Sequence, residues 1–201
     1  MYGSNPYAQA GWSNPRNPLS VAWETNQPHS PTYGALPTST TVPSPNIMTF
    51  RFNSQDTLNC IVVGPQNERI VTISTTYGSQ RVTTFKASND AAFASLEWHL
   101  QPLISIAGLV PRQEAMKWLA FSVDRRTASM TIGPDVYIWV FQGQNTVYLH
   151  KSDANAPERL AKMYWNNGLC LDVSVNSIRN GLLEVFLVAA ALLQSRQESR
   201  A

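Results

Sequence analysis

The segment Ile178-Arg-Asn-Gly-Leu-Leu-Glu-Val-Phe-Leu-Val-Ala-Ala-Ala-Leu-Leu193 decides how the rest of this chain is read. Past Asn180 it is apolar on every face, and a helix with no polar side must be buried all round. A spanning helix needs roughly 20 apolar residues. The uninterrupted run here, Val185 to Leu193, is about half that length, so burial inside protein is the expected outcome. Asn176 or Ser177 is placed to cap the helix, which is expected over about residues 177–195. Glu184, one turn in, suits the positive end of the helix dipole and is within reach of a basic side chain of the surrounding wall.

The residues upstream supply that wall. From Ile47 the pattern has period two, with Met48, Phe50 and Phe52 on one face. Turn signals recur at short intervals, at Gly64-Pro65-Gln66-Asn67, Tyr77-Gly78-Ser79 and Ser88-Asn89-Asp90, and then at Asp124-Arg125-Arg126 and Gln142-Gly143-Gln144-Asn145. Between them lie strand-like runs at 47–52, 58–63, 69–76, 81–86, 92–100, 103–106, 117–123, 128–132, 136–141, 146–150, 159–165 and 169–175. About a dozen short strands with no helix-length amphipathic stretch among them indicate an antiparallel barrel or sandwich. The most economical way to bury the apolar helix is to thread it through such a barrel.

Residues 1–46 differ in kind. They hold eight of the thirteen prolines and only two charged residues, Arg16 and Glu24. Such a segment cannot bury enough apolar surface to offset ordering its backbone, so a disordered tail is expected there, followed by one domain over 47–201. Tyr2, Tyr7, Trp12, Trp23 and Tyr33 are candidate contacts for a protein partner, and Ser30 and Ser44, each before a proline, are candidate phosphorylation sites. The tail shows no basic head and apolar run of a secretory leader. Cys60 and Cys170 lie in apolar strand-like runs and read as buried, reduced thiols, consistent with a cytoplasmic protein.

Composition excludes more than it assigns. The chain is 43% apolar and 14% charged with a net charge of +2, so a dedicated nucleic-acid binder is not expected. No metal-ligand spacing, P-loop, nucleophile elbow or dinucleotide fingerprint occurs, and neither an enzyme nor a cofactor is expected. A hydrolase using Cys60 or Cys170 with His99 or His150 is the enzymatic alternative that spacing alone leaves open. Trp98, Trp118, Tyr137, Trp139, Tyr164 and Trp165 read as core or rim packing around the helix, and as lining of a ligand cavity in the alternative. Asp135 and Asp172 read as turn or capping carboxylates.

Trp118-Leu119-Ala120-Phe121, Tyr137-x-Trp139 after Gly133-Pro134-Asp135, and Leu171-Asp172-Val173 leading into the apolar helix resemble a fungal domain family of unknown function, DUF6593. Through it the chain is similar to the group that includes Tubby C-terminal domains, LURP-one-related proteins and phospholipid scramblases. The resemblance covers about residues 47–195 and implies a twelve-stranded barrel enclosing a hydrophobic C-terminal helix. It also implies contact with membranes or lipid headgroups, which Tubby domains bind through basic side chains of the barrel wall. Arg125 and Arg126 at a hairpin tip, and Lys151, Arg159 and Lys162 around the 152–157 loop, are the candidate headgroup ligands if they converge. Each also reads as an ordinary solvated surface charge. The expected role is a non-enzymatic module that binds anionic phospholipid headgroups at a membrane surface, or a protein partner. The alternative is a scramblase-like protein whose C-terminal helix enters the bilayer.

Overall fold

The computed structural model describes residues 46–143, 145–152 and 158–198. The chain divides into two units, Met1–Val42 and Pro43–Ala201, and the described residues all belong to the second. The expected tail, with its aromatic and phosphorylation candidates, lies outside the described residues.

The described chain is β1 (Ile47–Phe52), β2 (Cys60–Val63), β3 (Arg69–Tyr77), β4 (Arg81–Ala87), β5 (Ala92–Trp98), β6 (Leu103–Ile106), β7 (Val110–Glu114), α1 (Ala115–Trp118), β8 (Leu119–Phe121), β9 (Thr127–Ile132), β10 (Asp135–Gln142), β11 (Thr146–Lys151), β12 (Arg159–Trp165), β13 (Leu169–Ser174), α2 (Val175–Arg179) and α3 (Leu183–Glu198). All thirteen strands join one sheet, in the order β7-β6-β5-β4-β3-β2-β1-β13-β12-β11-β10-β9-β8. Every neighbouring pair is antiparallel.

Connectivity forces this sheet to roll up. Its two edge strands, β7 and β8, would lie about 58 Å apart in a flat sheet at ~4.8 Å per strand. They are joined only by the four residues of α1, a rise of about 6 Å. The sheet is therefore a barrel whose seam is α1, tied by the Ala115 N–H to Pro102 O (2.8 Å) and by the Trp118 indole N–H to Thr131 O (3.2 Å). Twelve antiparallel steps separate β7 from β8, so the two run in the same direction. Together they fill one broken position of a twelve-position barrel, which accounts for thirteen strands where about a dozen were expected.

Alternation fills the interior. Phe50 and Phe52, Val71 and Ile73, Ala94 and Leu96, Tyr137 and Trp139, Val147 and Leu149, and Leu171 and Val173 point inward and are buried. They surround α3, in which all nine residues from Val185 to Leu193 are at most 1% exposed. Phe186 packs edge-on against Tyr137 and Trp139, at centroid distances of 6.1 and 6.4 Å. Among the described residues no helix is long and apolar enough to cross a membrane.

Several expectations need correction. The C-terminal segment is not one helix from residue 177: α2 is capped by Ser174, whose Oγ accepts from the Ser177 N–H (3.1 Å), and the chain breaks at Gly181, φ +73°, before α3 begins. The run 117–123 is not a single strand, because its first residues belong to α1. An unexpected strand, β7, contains Pro111, Arg112 and Glu114; proline and charge are tolerated there because one side of β7 has no strand neighbour. β2 starts at Cys60 rather than residue 58, since Asp56 turns the chain by accepting from the Leu58 N–H (3.0 Å).

Candidate functional site

The barrel has two distinct ends. At the entry end β13 leads through α2 into the start of α3; at the exit end α3 leaves the sheet, marked by the Thr57 hydroxyl donating to Ala191 O (3.5 Å) and by Arg196 over the Phe121 ring (5.5 Å). The register places the five candidate cations at both ends. β9 and β10 pair Thr127 with Val140 near the exit end, whereas β10 and β11 pair Tyr137 with Lys151 near the entry end. At ~3.3 Å per residue, Arg126, bonded to Phe141, and Lys151, opposite Tyr137, are separated by about 13 Å of strand. The expected convergence of Arg125 and Arg126 with Lys151, Arg159 and Lys162 does not occur.

The exit end carries a repeated feature. Six strands running toward it carry an aromatic residue on the inward register at their last position or, in β10, the last but one: Phe52 of β1, Tyr77 of β3, Trp98 of β5, Phe121 of β8, Phe141 of β10 and Trp165 of β12. Phe121 stacks on Phe141 at 6.0 Å. Arg81 lies over both Trp98 (4.7 Å) and Tyr77 (5.4 Å), while Trp98 donates its indole N–H to Thr83 Oγ1 (2.8 Å). Aromatic rings of this size close the gaps where the sheet ends around the helix. The Arg196 guanidinium has one nitrogen buried without a hydrogen-bond partner, and burial lowers its pKa.

The β8–β9 turn presents a distinctive surface at this end. Asp124 accepts from the Ser122 hydroxyl (2.6 Å) and the Arg126 N–H (3.1 Å), and these bonds hold its carboxyl below the usual range. Arg125 sits at φ +57°, closing the turn. Arg125 and Arg126 are exposed, and among the described residues neither makes an ion pair. Val123 beside them is fully exposed, as is Leu100 on the β5–β6 turn, and Tyr77 is 73% exposed.

At the entry end the candidates are engaged. Lys151 pairs with Asp135 at 2.9 Å. Arg159 lies over the Tyr148 ring (4.4 Å) and Lys162 over the Tyr164 ring (4.5 Å), both on the outer wall. Beside them Asp172 accepts from the Thr49 hydroxyl (2.7 Å) and the Tyr164 hydroxyl (3.3 Å). Burial and that carboxylate push the Tyr164 hydroxyl up to about 12. Arg159 and Lys162 line a small notch of about 150 Å³, and Leu160 separates it from a polar cleft of about 610 Å³ at the mouth of the barrel. Sequence reading singled out Lys151 of that cleft but missed Glu158 and Arg179, which nothing in the local pattern marks.

Neither thiol meets a histidine. The Cys60 thiol donates to Thr57 O (3.5 Å), and that of Cys170 faces Gly168 O and Asn166 O (3.9 and 4.0 Å). Burial pushes Cys60 up to about 12 and raises Cys170. His99 is held by Gln80 and Glu97 on an exposed strand end, and His150 stacks obliquely on Tyr148. Among the described residues no group of His, Cys, Asp and Glu is arranged to hold a metal ion. Glu184 lies in the first turn of α3, but it has no ion-pair partner among the described residues, contrary to the contact expected for it.

The class this architecture defines is an up-and-down antiparallel barrel packed around its own C-terminal helix. No protein-family model matches the chain, and no curated protein does. Among solved structures it is similar to the X-ray structure of a protein from Arabidopsis thaliana, with a TM-score of 0.46 and 10% identity over 72% of this chain and 90% of that one.

Proposed function

We propose that this protein is a non-enzymatic, Tubby-like binding module that attaches to anionic lipid surfaces through the exit end of its barrel. The observation that carries the reading is the β8–β9 turn, where a fully exposed Val123 stands beside two exposed arginines that have no ion-pair partner among the described residues. An apolar tip gains by leaving water for the acyl boundary, and each nearby arginine gains about 1 kcal/mol from an anionic leaflet. The half-buried aromatics of the same end suit the depth at which amphipathic rings settle. The outer-wall cations Arg159 and Lys162 are less suited, since each is occupied by a tyrosine ring and Asp172 stands beside them. Insertion of α3 itself is disfavoured because withdrawing it would expose the whole apolar lining of the barrel to water.

The test is flotation of the full chain with neutral and with anionic vesicles at low and moderate salt. Binding is expected only to anionic vesicles, to weaken with salt, to be abolished by Arg125→Glu/Arg126→Glu and reduced by Val123→Asp, and to persist in Arg159→Glu/Lys162→Glu. Loss only in the last variant would move the site to the outer wall. No flotation with any vesicle would overturn the reading in favour of a protein partner.

A further inference from the structure

The polar cleft at the entry end is built by the ends of β9, β10, β11 and β12 together with α2, on the side of the barrel away from the lipid-facing turn. Its volume of about 610 Å³ falls within the range of small-ligand sites, and because it is open to solvent its occupant is smaller than the cleft. Among the described residues, four charged side chains line it. Asp135 and Lys151 form an ion pair at 2.9 Å. The other two, Glu158 and Arg179, have no opposite charge within 4 Å among the described residues, including one another. Among the described residues the cleft thus presents one anion and one cation that no ion pair engages.

That charge pattern is complementary to a molecule carrying both signs. Arg179 offers a planar guanidinium fork to a carboxylate, with the exposed carboxamides of Asn176 on the same short helix and of Asn180 at its C-terminal cap. Glu158 offers a carboxylate to an ammonium group. Leu160, Leu182 and Ile132 also line the cleft and offer apolar surface to a hydrophobic body. A simple anion would meet Glu158 and Asp135, and a simple cation would meet Arg179 and Lys151; a zwitterion answers both signs that the described residues present. We infer that the entry cleft binds a small zwitterion with an apolar body, either a free amino acid or a dipeptide. This goes beyond the lipid reading and does not depend on it.

Titration calorimetry of the full chain with L-leucine and with leucyl-leucine tests the inference and separates the two sources. N-acetyl-leucine, which lacks the ammonium, and leucinamide, which lacks the carboxylate, serve as blocked controls. One of the zwitterions is expected to bind saturably, and each blocked compound about ten-fold or more weakly, the scale of one lost charged hydrogen bond. Arg179→Gln is expected to weaken the zwitterion by a similar factor while leaving leucinamide unchanged, and Glu158→Gln to do the converse with N-acetyl-leucine. Both substitutions are of exposed side chains, so folding is not at stake, and vesicle binding through the exit end should be unchanged in both. Absence of saturable binding at millimolar zwitterion, or equal binding of blocked and unblocked compounds, would overturn the assignment.

Discussion

Cys60 and Cys170 show how a residue's surroundings decide its chemistry. Each occupies a strand position in an apolar run, each is buried, and among the described residues each thiol faces backbone carbonyls. The thiolate is the nucleophile, and burial disfavours it, so both groups stay protonated well above neutrality. In the native protein at about pH 8, an aromatic disulfide reagent should therefore label neither cysteine quickly, while denaturant should release both. One thiol reacting rapidly and stoichiometrically in the folded state would revive a cysteine hydrolase. Asp124 illustrates the complementary case: its carboxylate is spent on closing a turn, and among the described residues the arginines that follow it make no ion pair.

At the scale of elements, α3 is the clearest product of its own sequence. Nine consecutive apolar residues leave no face for water, and the structure buries all nine. Leu187→Asp would set an unpaired carboxylate among Phe, Val and Leu side chains at a position with 0% exposure, at a cost of about 3–5 kcal/mol or more. Soluble yield and the cooperativity of thermal melting should both collapse in that variant. Glu184→Leu, at the half-buried start of the helix and with no ion-pair partner among the described residues, should melt within about 1 kcal/mol of the parent. A soluble, cooperatively melting Leu187→Asp protein would show that the helix is not inside the barrel. The break before α3 was not visible in the apolar pattern. Asn180-Gly181 sits within a run otherwise suited to a helix, and only the need to turn from the barrel rim into its axis makes Gly181 take a positive φ.

For the whole molecule, the barrel and the helix depend on each other. The inward residues of the strands have no partner layer except α3, so a chain ending before Leu183 should lose cooperative folding and bind an apolar fluorophore strongly. Near-ultraviolet circular dichroism and fluorophore binding of that truncation would check this; a compact, cooperatively melting truncation would mean that the barrel closes without its helix. Closure also explains why β7 was missed: residues 110–114 are mostly polar or exposed and contain a proline, and they become a strand because the roll of the sheet brings them beside β6.

The sequence by itself determined the elements whose burial is written in their own periodicity. Period-two runs with turn punctuation gave most strands, as in β3, β10 and β12, and unbroken apolarity gave α3, because local pattern reports directly which faces must avoid water. Tertiary structure alone decided which charges share an end. Arg125 and Arg126 look as near to Lys151 and Arg159 as turns of one meander can be, yet alternate turns of an antiparallel barrel lie at opposite ends, and strand length keeps the two groups apart. The same rule brings Arg179 of α2 to the mouth that Glu158, just before β12, borders, from 21 residues away in the chain. Side-chain convergence follows from register and closure, which are properties of the assembled sheet rather than of any segment within it.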